Sequence, residues 1–331
     1  MTRVAVLGAG SWGTTVANLI AGSSVTEIWA RNPEIAQEIK RDHSNSRYLP
    51  GIDLNSELGA SSDLAEVVAD ASAVVVGVPS FGLRMVVAQL SGLIAPTVPI
   101  VSLTKGLEAR THLRMSEVIQ TELPKHHLDQ IGVLTGPNLA GEVAEGQPTA
   151  SVIALADETS AVFVQELLMT DRFRVYTNYD VVGCEIAGVV KNIVAIAVGI
   201  AVGLDYGDNA RAALMTRGLA EMARLGAALG GEPLTFAGLA GMGDLIATCS
   251  SERSRNRRVG VELGRGRNID EIVAAMTMVA EGVNSTPAVL ELAASLKVDT
   301  PIVANVAAVL AGELRVAELV PALMSRQARA E

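Results

Sequence analysis

The sequence predicts an α/β protein of two domains, in which a doubly wound, mostly parallel sheet is followed by an all-α C-terminal domain. Short β-branched apolar runs alternate with segments of helical periodicity as far as about Tyr179, which is typical of a parallel sheet with helices on both faces. Beyond that residue, long stretches rich in Ala and Leu replace the short runs. The length of 331 residues suits two domains, which we place at residues 1–179 and 180–331.

The strands and helices of the first domain differ in their apolar pattern. Buried parallel strands are short continuous apolar runs between turns, whereas helices repeat apolar residues every three or four positions. The predicted strands are Val4–Leu7, Glu27–Ala30, Ala73–Val78, Pro99–Leu103, Gly132–Thr135 and Ser151–Leu155. The predicted helices are Trp12–Ala21, Pro33–Arg41, Leu64–Ala69, Phe81–Leu93 and Leu113–Leu123.

The second domain is predicted to contain only helices, and residues 326–331 are predicted to form a frayed tail. Asn284 and Ser285 are capping residues ahead of Pro287, which favours a helix that begins at about Thr286. The predicted helices are Val182–Val202, Asn209–Leu229, Arg257–Leu263, Ile269–Met276, Thr286–Leu296, Pro301–Leu310 and Leu314–Met324.

The stretch Val181–Leu204 is apolar enough to suggest a membrane span. It contains Glu185, Lys191 and Asn192, and each of these side chains is costly in hydrocarbon. We therefore interpret the stretch as a buried helix and expect no membrane insertion.

The composition favours a globular enzyme over several classes of binding protein. A net charge of −10 disfavours general binding to nucleic acids or anionic membranes, and 3% aromatic residues provide few base-stacking side chains. Cys184 and Cys249 lie far apart and outside any Cys/His cluster, so we predict neither a disulfide framework nor a metal site. The apolar run before Gly8 is too short for a signal peptide, which predicts a cytoplasmic protein.

A glycine-rich loop follows the first predicted strand. Residues 8–13 read Gly-Ala-Gly-Ser-Trp-Gly, which fits the G-x-G-x-x-G pattern between a strand and a helix. In such a loop the first glycine permits a tight turn, the second lets a pyrophosphate approach the backbone, and the third lets helix and strand pack closely. The pattern predicts a Rossmann-type site around Gly8, Gly10 and Gly13 for a nicotinamide dinucleotide or, alternatively, a flavin.

The residues at the end of the second predicted strand indicate which nicotinamide cofactor is preferred. NAD sites usually have an acidic residue there to hold the ribose 2′-hydroxyl, whereas this chain has Arg31 and Asn32. An arginine suits a 2′-phosphate, so we favour NADPH. Asn32 can bond a free ribose, which leaves NADH open, and a solvated Arg31 is the alternative to either role.

Two polar segments follow later strands, at the sheet edge where ligands of parallel sheets bind. Lys105 comes directly after Pro99–Leu103, and Gly136-Pro137-Asn138 comes directly after Gly132–Thr135. This position predicts that Lys105 points toward the substrate, with a surface lysine as the alternative. The segment at residues 136–142 would, by itself, be interpreted as a turn.

Lys191 lies in the middle of the long apolar helix. A lysine in such a place must be paired, reach water or take part in chemistry. It suits proton transfer to and from a carbonyl oxygen, and a snorkelling or structurally paired lysine is the alternative.

A glycine-rich segment at residues 238–249 reads as a loop and contains Asp244, a candidate partner for Lys191. Directly after it, four arginines occur within six positions, at 253, 255, 257 and 258. In an acidic chain these arginines predict a local pocket for one small phosphate, because Arg offers paired donors and neighbouring Ser and Asn side chains add neutral ones. They cannot all face one ligand, so some are expected to be solvated.

Together these motifs make the chain resemble the bacterial NAD(P)-dependent glycerol-3-phosphate dehydrogenases. The resemblance implies reduction of dihydroxyacetone phosphate to sn-glycerol 3-phosphate for phospholipid synthesis, an NADP-type Rossmann domain followed by a helical domain, and a homodimer. It covers nearly the whole chain, and its most specific segments are residues 8–13, 48–51, 105–106, 189–192, 238–249 and 254–256.

The resemblance also implies roles for individual residues. Lys191 resembles the general acid/base, Lys105 a second lysine that contacts substrate, and Asp244 is expected to orient Lys191. The implied substrate-binding residues are Lys105, Gly136, Asn138, Lys191, Asp244, Ser254, Arg255 and Asn256. The implied cofactor-binding residues are Gly8, Gly10, Ser11, Trp12, Gly13, Arg31, Lys105, Ala140, Arg255, Val279 and Glu281.

Asn138-Leu139 departs from the family pattern, which more often has Ser or Thr followed by Phe after Gly136-Pro137. An amide can replace a hydroxyl donor, so the departure bears on substrate affinity more than on reaction type. Two other functions are considered: reduction of another small 2-oxo or 3-hydroxy acid, and a non-catalytic redox sensor that binds NADP. A redox sensor does not require a buried lysine beside a phosphate pocket, whereas an enzyme can use such a lysine for proton transfer. The predicted site therefore favours an enzyme.

Overall fold

The fold is that of a computed structural model, which describes residues 2–276 and 278–325. The predicted tail, residues 326–331, lies outside the described residues. The chain divides into two compact units, Met1–Lys105 with Leu113–Glu185 and Gly106–His112 with Ile186–Glu331.

This division differs from the predicted domains, 1–179 and 180–331, in two places. The segment Gly106–His112 belongs to the second unit, because Leu107 is buried in the apolar core of that unit. The boundary near residue 180 falls later, after Glu185, because the buried Glu185 carboxylate accepts hydrogen bonds from Arg114 and Ser116 of the first unit.

The first unit contains an eight-stranded sheet in the order β3-β2-β1-β4-β5-β6-β7-β8. Its neighbouring strands are parallel except for β6 and β7. The strands are β1 Arg3–Leu7, β2 Val25–Trp29, β3 Gly59–Ser61, β4 Ala73–Val76, β5 Ile100–Ser102, β6 Ile131–Thr135, β7 Thr149–Ala154 and β8 Phe173–Asn178. The helices are α1 Ser11–Ala21, α2 Pro33–Asp42, α3 Leu64–Val68, α4 Ser80–Ala88, α5 Met115–Glu122, α6 Ala140–Ala144 and α7 Glu158–Leu168.

Apolar side chains cover both faces of this sheet, which confirms the predicted doubly wound architecture. Along β1, Val4 and Val6 join one buried cluster, whereas Ala5 and Leu7 join another on the opposite face. The strand order reverses direction between β1 and β4, so the carboxyl ends of these two strands form the topological switch point. The loop that begins at Gly8 therefore lies where ligands of such sheets bind.

Strands β3 and β8 were not predicted, and the reason differs for each. β3 is the three-residue run Gly-Ala-Ser, which contains no β-branched residue. β8 buries Phe173 and Val175 but exposes Arg174 and Tyr176, so it alternates and lacks a continuous apolar run. Helices α6 and α7 were also missed.

The second unit is helical over its described residues, as predicted. Its helices are α8 Val181–Gly203, whose residues as far as Glu185 belong to the first unit, α9 Asp208–Ala228, α10 Pro233–Ala237, α11 Asp244–Ser250, α12 Arg255–Gly264, α13 Ile269–Ala274, α14 Glu281–Ser295, α15 Pro301–Leu310 and α16 Leu319–Met324. By length and composition α8 is apolar enough to cross a membrane, but 89% of its most apolar window is buried inside the protein. This burial agrees with the interpretation of α8 as a core helix.

Helices α8 and α12 approach each other closely through glycines. A Cβ atom at Gly199 would lie 2.2 Å from the Arg257 carbonyl oxygen, and one at Gly260 would lie 2.1 Å from that of Ile196. Gly203 and Gly264, one turn further along, face the same contact. The two helix backbones can therefore approach this closely only because glycines, which have no side chain, occupy these positions. The contact places the start of α12 beside the middle of α8.

Two predictions about the second unit were wrong. Residues 238–249 do not form a loop: Leu239–Gly243 is a π-helical turn that continues into α11. Helix α14 begins at Glu281 rather than near Thr286, with Pro287 inside it, because the buried Asn256 side chain accepts a hydrogen bond from the Gly282 N–H and holds an additional turn in place.

The side chain of Glu221 caps a neighbouring helix. Its buried carboxylate accepts hydrogen bonds from the N–H groups of Ile302 and Val303, in the first turn of α15. Burial raises the pKa of Glu221 to about 7, although these two N–H groups and Arg224 act to lower it, while Asp299 adds to the rise.

We therefore expect Glu221→Gln to flatten the pH dependence of unfolding. Because the folded pKa lies above the ordinary value of 4.5, the stabilisation is complete below pH 4.5 and is lost as the pH rises through about 7. A shift of this size corresponds to roughly 3 kcal/mol. Thermal unfolding between pH 5 and pH 8 should show a smaller fall in Tm for Glu221→Gln than for the wild type. Glu313→Gln, an exposed control, should behave as the wild type.

Candidate functional site

The glycine loop after β1 has the geometry that a dinucleotide requires. Gly8 has a φ of +113°, and a Cβ atom there would lie 2.7 Å from the Gly77 carbonyl oxygen. A Cβ at Gly13 would lie 2.0 Å from the Gly8 carbonyl oxygen, so Gly13 is needed for close packing. A Cβ at Gly10 would meet nothing within 4 Å. The loop is therefore tight at both ends and open at its centre, directly before α1.

Residues next to this loop fix the first turn of α1. The Trp12 ring packs against Phe173, with 6.3 Å between ring centroids. Thr15 Oγ1 donates to the carbonyl oxygens of Ser11 and Ala140, at 2.9 and 3.3 Å, which links α1 to the start of α6. Ser11, Trp12 and Ala140, all predicted to contact the cofactor, thus lie together around one helix N-terminus.

Arg31 and Asn32 follow β2 but differ in what they can offer a ligand. Arg31 is exposed, and none of the described residues pairs with its guanidinium group. Asn32 caps α2, since its side-chain oxygen accepts a hydrogen bond of 2.9 Å from the Glu34 N–H. The Asn32 oxygen is therefore engaged by the helix, and Arg31 is the side chain available to a cofactor.

Lys105 and the loop at residues 136–138 form one cluster of the first unit. The Lys105 Nζ donates to the Gly136 carbonyl oxygen at 3.2 Å and to Asn138 Oδ1 at 2.9 Å. Asn138 Nδ2 donates to Ser151 Oγ at 3.2 Å, and Ser151 Oγ donates to the Thr135 carbonyl oxygen. The structure thus brings together Lys105, Gly136 and Asn138, at the carboxyl ends of β5 and β6.

Lys191 and Asp244 form a buried ion pair in the second unit. The Lys191 Nζ lies 2.7 Å from Asp244 Oδ1, and the residues are 5% and 2% exposed. Nζ also donates to Thr248 Oγ1 at 2.7 Å, and Thr248 Oγ1 donates to Asp244 Oδ1 at 3.2 Å. An ammonium group has three N–H donors, and the third has no acceptor among the residues that the structure describes. The group is held firmly and retains one donor for a ligand.

Thr248 was missed by sequence reasoning. Asp244 and Thr248 are four residues apart, a spacing that places both side chains on one face of a helix. The glycine-rich segment was predicted to be a loop, and in a loop a spacing of four residues does not place two side chains together. That spacing is the signal that would have identified Thr248.

A second polar network joins the starts of α12 and α14 to α8. Asn256 Nδ2 donates to Asn192 Oδ1 at 2.9 Å, and Asn256 Oδ1 accepts from the Gly282 N–H at 3.0 Å. Asn192 Nδ2 donates to the Gly188 carbonyl oxygen. The oxygen and one N–H of Asn256 therefore engage the protein, and its second N–H has no acceptor among the residues that the structure describes.

The four arginines of the predicted basic pocket do not all lie in one place. Ser254 is buried and caps α12 by accepting a hydrogen bond from the Arg257 N–H. Arg255 Nη1 donates to the Val279 carbonyl oxygen at 2.7 Å, and Glu281 is near enough to interact electrostatically with Arg255. Arg253 and Arg258 are exposed. Arg255, Val279 and Glu281, all predicted to contact the cofactor, thus lie together.

Both cysteines are buried and free. Burial raises the pKa of the Cys249 thiol to about 12, and it also raises that of Cys184. A neutral thiol is a poor nucleophile, so neither cysteine is a candidate nucleophile.

Comparison with known proteins agrees with these features. The profile described as the N-terminus of NAD-dependent glycerol-3-phosphate dehydrogenase matches residues 3–161, and the corresponding C-terminus profile matches residues 180–321. The chain is 56% identical over 304 residues to a Sphingopyxis alaskensis protein named as an NAD(P)+ glycerol-3-phosphate dehydrogenase, with 92% of this chain and 90% of that protein covered. A Thermobifida fusca protein of the same name is 51% identical, with 100% and 99% covered.

A solved structure has the same architecture over nearly the full length of both chains. The crystal structure of a glycerol-3-phosphate dehydrogenase from Coxiella burnetii superimposes with a TM-score of 0.93 at 39% identity, covering 98% of this chain and 99% of that one. The chain therefore belongs to the NAD-dependent glycerol-3-phosphate dehydrogenase family.

Proposed function

We propose that this protein catalyses the NAD(P)H-dependent reduction of dihydroxyacetone phosphate to sn-glycerol 3-phosphate and so supplies glycerophospholipid synthesis. The observation that carries the proposal is the buried Lys191, paired with Asp244 and Thr248 and left with one N–H donor. Family membership supports the substrate, and the glycine loop supports the cofactor class.

The open centre of the glycine loop fits a dinucleotide. The room beside Gly10 suits a pyrophosphate, and the first N–H groups of α1, from Gly10, Ser11 and Trp12, suit its charge. When bound, the nicotinamide group supplies the hydride. We assign cofactor contacts to Gly8, Gly10, Ser11, Trp12, Gly13, Arg31, Lys105, Ala140, Arg255, Val279 and Glu281.

Lys191 is the proposed general acid. Its remaining N–H would donate to the substrate carbonyl oxygen, and Nζ would give its proton to that oxygen as negative charge develops there. Asp244 compensates the ammonium charge and, with Thr248, limits its rotation, so that the donor is oriented before the reaction begins. Burial excludes water from the proton that is transferred.

Other residues are assigned to the substrate. Arg255 and the remaining N–H of Asn256 would bind the phosphate, and Ser254 adds a hydroxyl group beside them. Lys105, held by Gly136 and Asn138, supplies further positive charge near the substrate. We also propose a cytoplasmic location and a homodimer; sedimentation analysis of the purified protein tests the homodimer.

A spectrophotometric assay tests this function. NADPH oxidation should depend on dihydroxyacetone phosphate and should be far slower with small 2-oxo acids at the same concentration. Comparable rates with a 2-oxo acid, or no reaction with dihydroxyacetone phosphate, would contradict the proposed substrate.

Arg31 should decide the preference between NADPH and NADH. Because its guanidinium is exposed and unpaired among the described residues, it suits the 2′-phosphate that only NADPH carries. We expect Arg31→Ala to raise KM for NADPH by roughly tenfold, the loss typical of a charge-assisted hydrogen bond, and to change KM for NADH little. Equal effects on both cofactors would show that Arg31 does not contact the 2′-phosphate.

A further inference from the structure

Asn45 is a fully buried polar residue that touches both ends of the glycine loop. It lies between α2 and β3, well separated from the loop in sequence. Its Nδ2 donates to the Ala9 carbonyl oxygen at 3.0 Å and to Thr14 Oγ1 at 2.9 Å. Its Oδ1 accepts from the Tyr48 N–H at 3.3 Å. Since a carbonyl oxygen only accepts, the nitrogen of the amide must face Ala9.

These two bonds constrain the direction of the backbone groups at the open centre of the loop. In a planar trans peptide the C=O and N–H bonds point in opposite directions. The Ala9 carbonyl points toward Asn45, so the Gly10 N–H points away from it. Thr14 closes the first turn of α1, because its N–H donates to the Gly10 carbonyl oxygen at 2.9 Å. Asn45 thus holds residues 9 and 14. These two residues flank the first N–H groups of α1, which have no acceptor within the helix.

We propose that Asn45 is a positioning residue for the dinucleotide, which acts through the Ala9 carbonyl to aim the Gly10 N–H and the first turn of α1 at the pyrophosphate. This role rests on the proposed cofactor site at the glycine loop. The direction of these donors depends on Asn45 because Gly10 has no side chain to restrain its backbone, and no atom lies within 4 Å of the position that a Cβ would take.

Asn45→Asp tests the role most directly. The carboxylate has nearly the same shape and can still accept from Tyr48 and from the Thr14 hydroxyl, but it has no donor for Ala9 and repels that carbonyl. We expect Kd for NADPH, measured by fluorescence titration, to rise about tenfold or more. The kcat at saturating NADPH and KM for dihydroxyacetone phosphate should stay within about twofold, since the side-chain hydrogen bonds of Asn45 go to Ala9, Thr14 and Tyr48, none of which is assigned to the substrate.

Asn18→Ala is the matched control. Asn18 also links α1 to the segment between α2 and β3, because its Oδ1 accepts from the Asn55 N–H at 2.6 Å, but it does not bond to the glycine loop. Its removal should lower Tm and leave Kd for NADPH within about twofold. If Asn45→Asp does not yield folded protein, Asn45→Ala replaces it with the same expectation.

The outcomes separate this inference from the proposed function. A wild type that neither binds nor oxidises NADPH contradicts the proposed function itself. If the wild type binds and oxidises NADPH, an unchanged Kd for NADPH in the Asn45 variant overturns the positioning role alone. An equal rise in Kd for NADPH in Asn18→Ala has the same consequence. A fall in kcat at saturating NADPH with no change in Kd would likewise overturn it.

Discussion

Lys191→Ala should lower kcat for the reduction of dihydroxyacetone phosphate by about 10²- to 10⁴-fold, the usual contribution of a general acid. The substitution removes the only ammonium group that contacts Asp244 Oδ1 within the described ion pairs and leaves no donor for the carbonyl oxygen. Because Lys191 is not among the residues assigned to the cofactor, Kd for NADPH should stay within about twofold. Steady-state kinetics and a fluorescence titration measure the two quantities.

The same substitution should also destabilise the protein, for a separate reason. Removing one partner of a buried ion pair leaves an uncompensated charge and typically costs about 3–5 kcal/mol. The double variant Lys191→Ala with Asp244→Ala should therefore be more stable than Lys191→Ala alone, yet equally inactive. Lys125→Ala, at an exposed lysine, is the control for both measurements. Turnover within about fivefold of the wild type for Lys191→Ala would contradict the assignment of the general acid.

Gly260→Ala should cause the second large effect, a loss of stability caused by one methyl group. The new Cβ would lie 2.1 Å from the Ile196 carbonyl oxygen and 2.8 Å from the Gly199 Cα, so the backbones of α8 and α12 must separate. Overpacking of this kind costs about 1–3 kcal/mol. In a unit of this size the corresponding fall in Tm is roughly 3–10 °C, which calorimetry detects.

The separation of these helices should also be visible in catalysis. The start of α12 carries Ser254, Arg255 and Asn256, and Asn256 is bonded to Asn192 on α8. We therefore expect Gly260→Ala to raise KM for dihydroxyacetone phosphate as well. Gly207→Ala is the matched control, because Gly207 has an ordinary φ of −72° and a Cβ there would meet nothing within 4 Å. A similar loss of stability in both variants would rule out the close contact as the cause.

The fold class was predictable because it depends on local patterns of apolar residues. The runs at β1, β4 and β6 are buried on both faces, so they are continuously apolar and easily recognised. Strand β8 lies at the edge of the sheet and exposes alternate side chains, so its pattern resembles an ordinary surface segment. The strands that were missed are therefore the two at the edges.

The segment at residues 238–250 shows why glycine content misled the prediction. Glycines usually mark turns, but Gly241 is there because a Cβ would lie 2.2 Å from the Phe236 carbonyl oxygen. Close packing against α10, rather than a turn, explains this glycine. The resulting π-helical turn and α11 then place Asp244 and Thr248 on one side of a helix.

By itself, the sequence determined the alternation of buried strands and helices in the first unit, the helical character of the second unit, and the glycine loop after β1. These features depend on neighbouring residues, because a strand, a tight turn and a helix start are defined within a few positions. Only the tertiary structure decided that Lys191 meets Thr248 as well as Asp244, that Asn256 is largely engaged by Asn192 and Gly282, and that Asn45 supports the glycine loop. Each of these contacts joins residues far apart in the chain, and their geometry follows from how closely the helices pack, which a pattern of residue types does not contain.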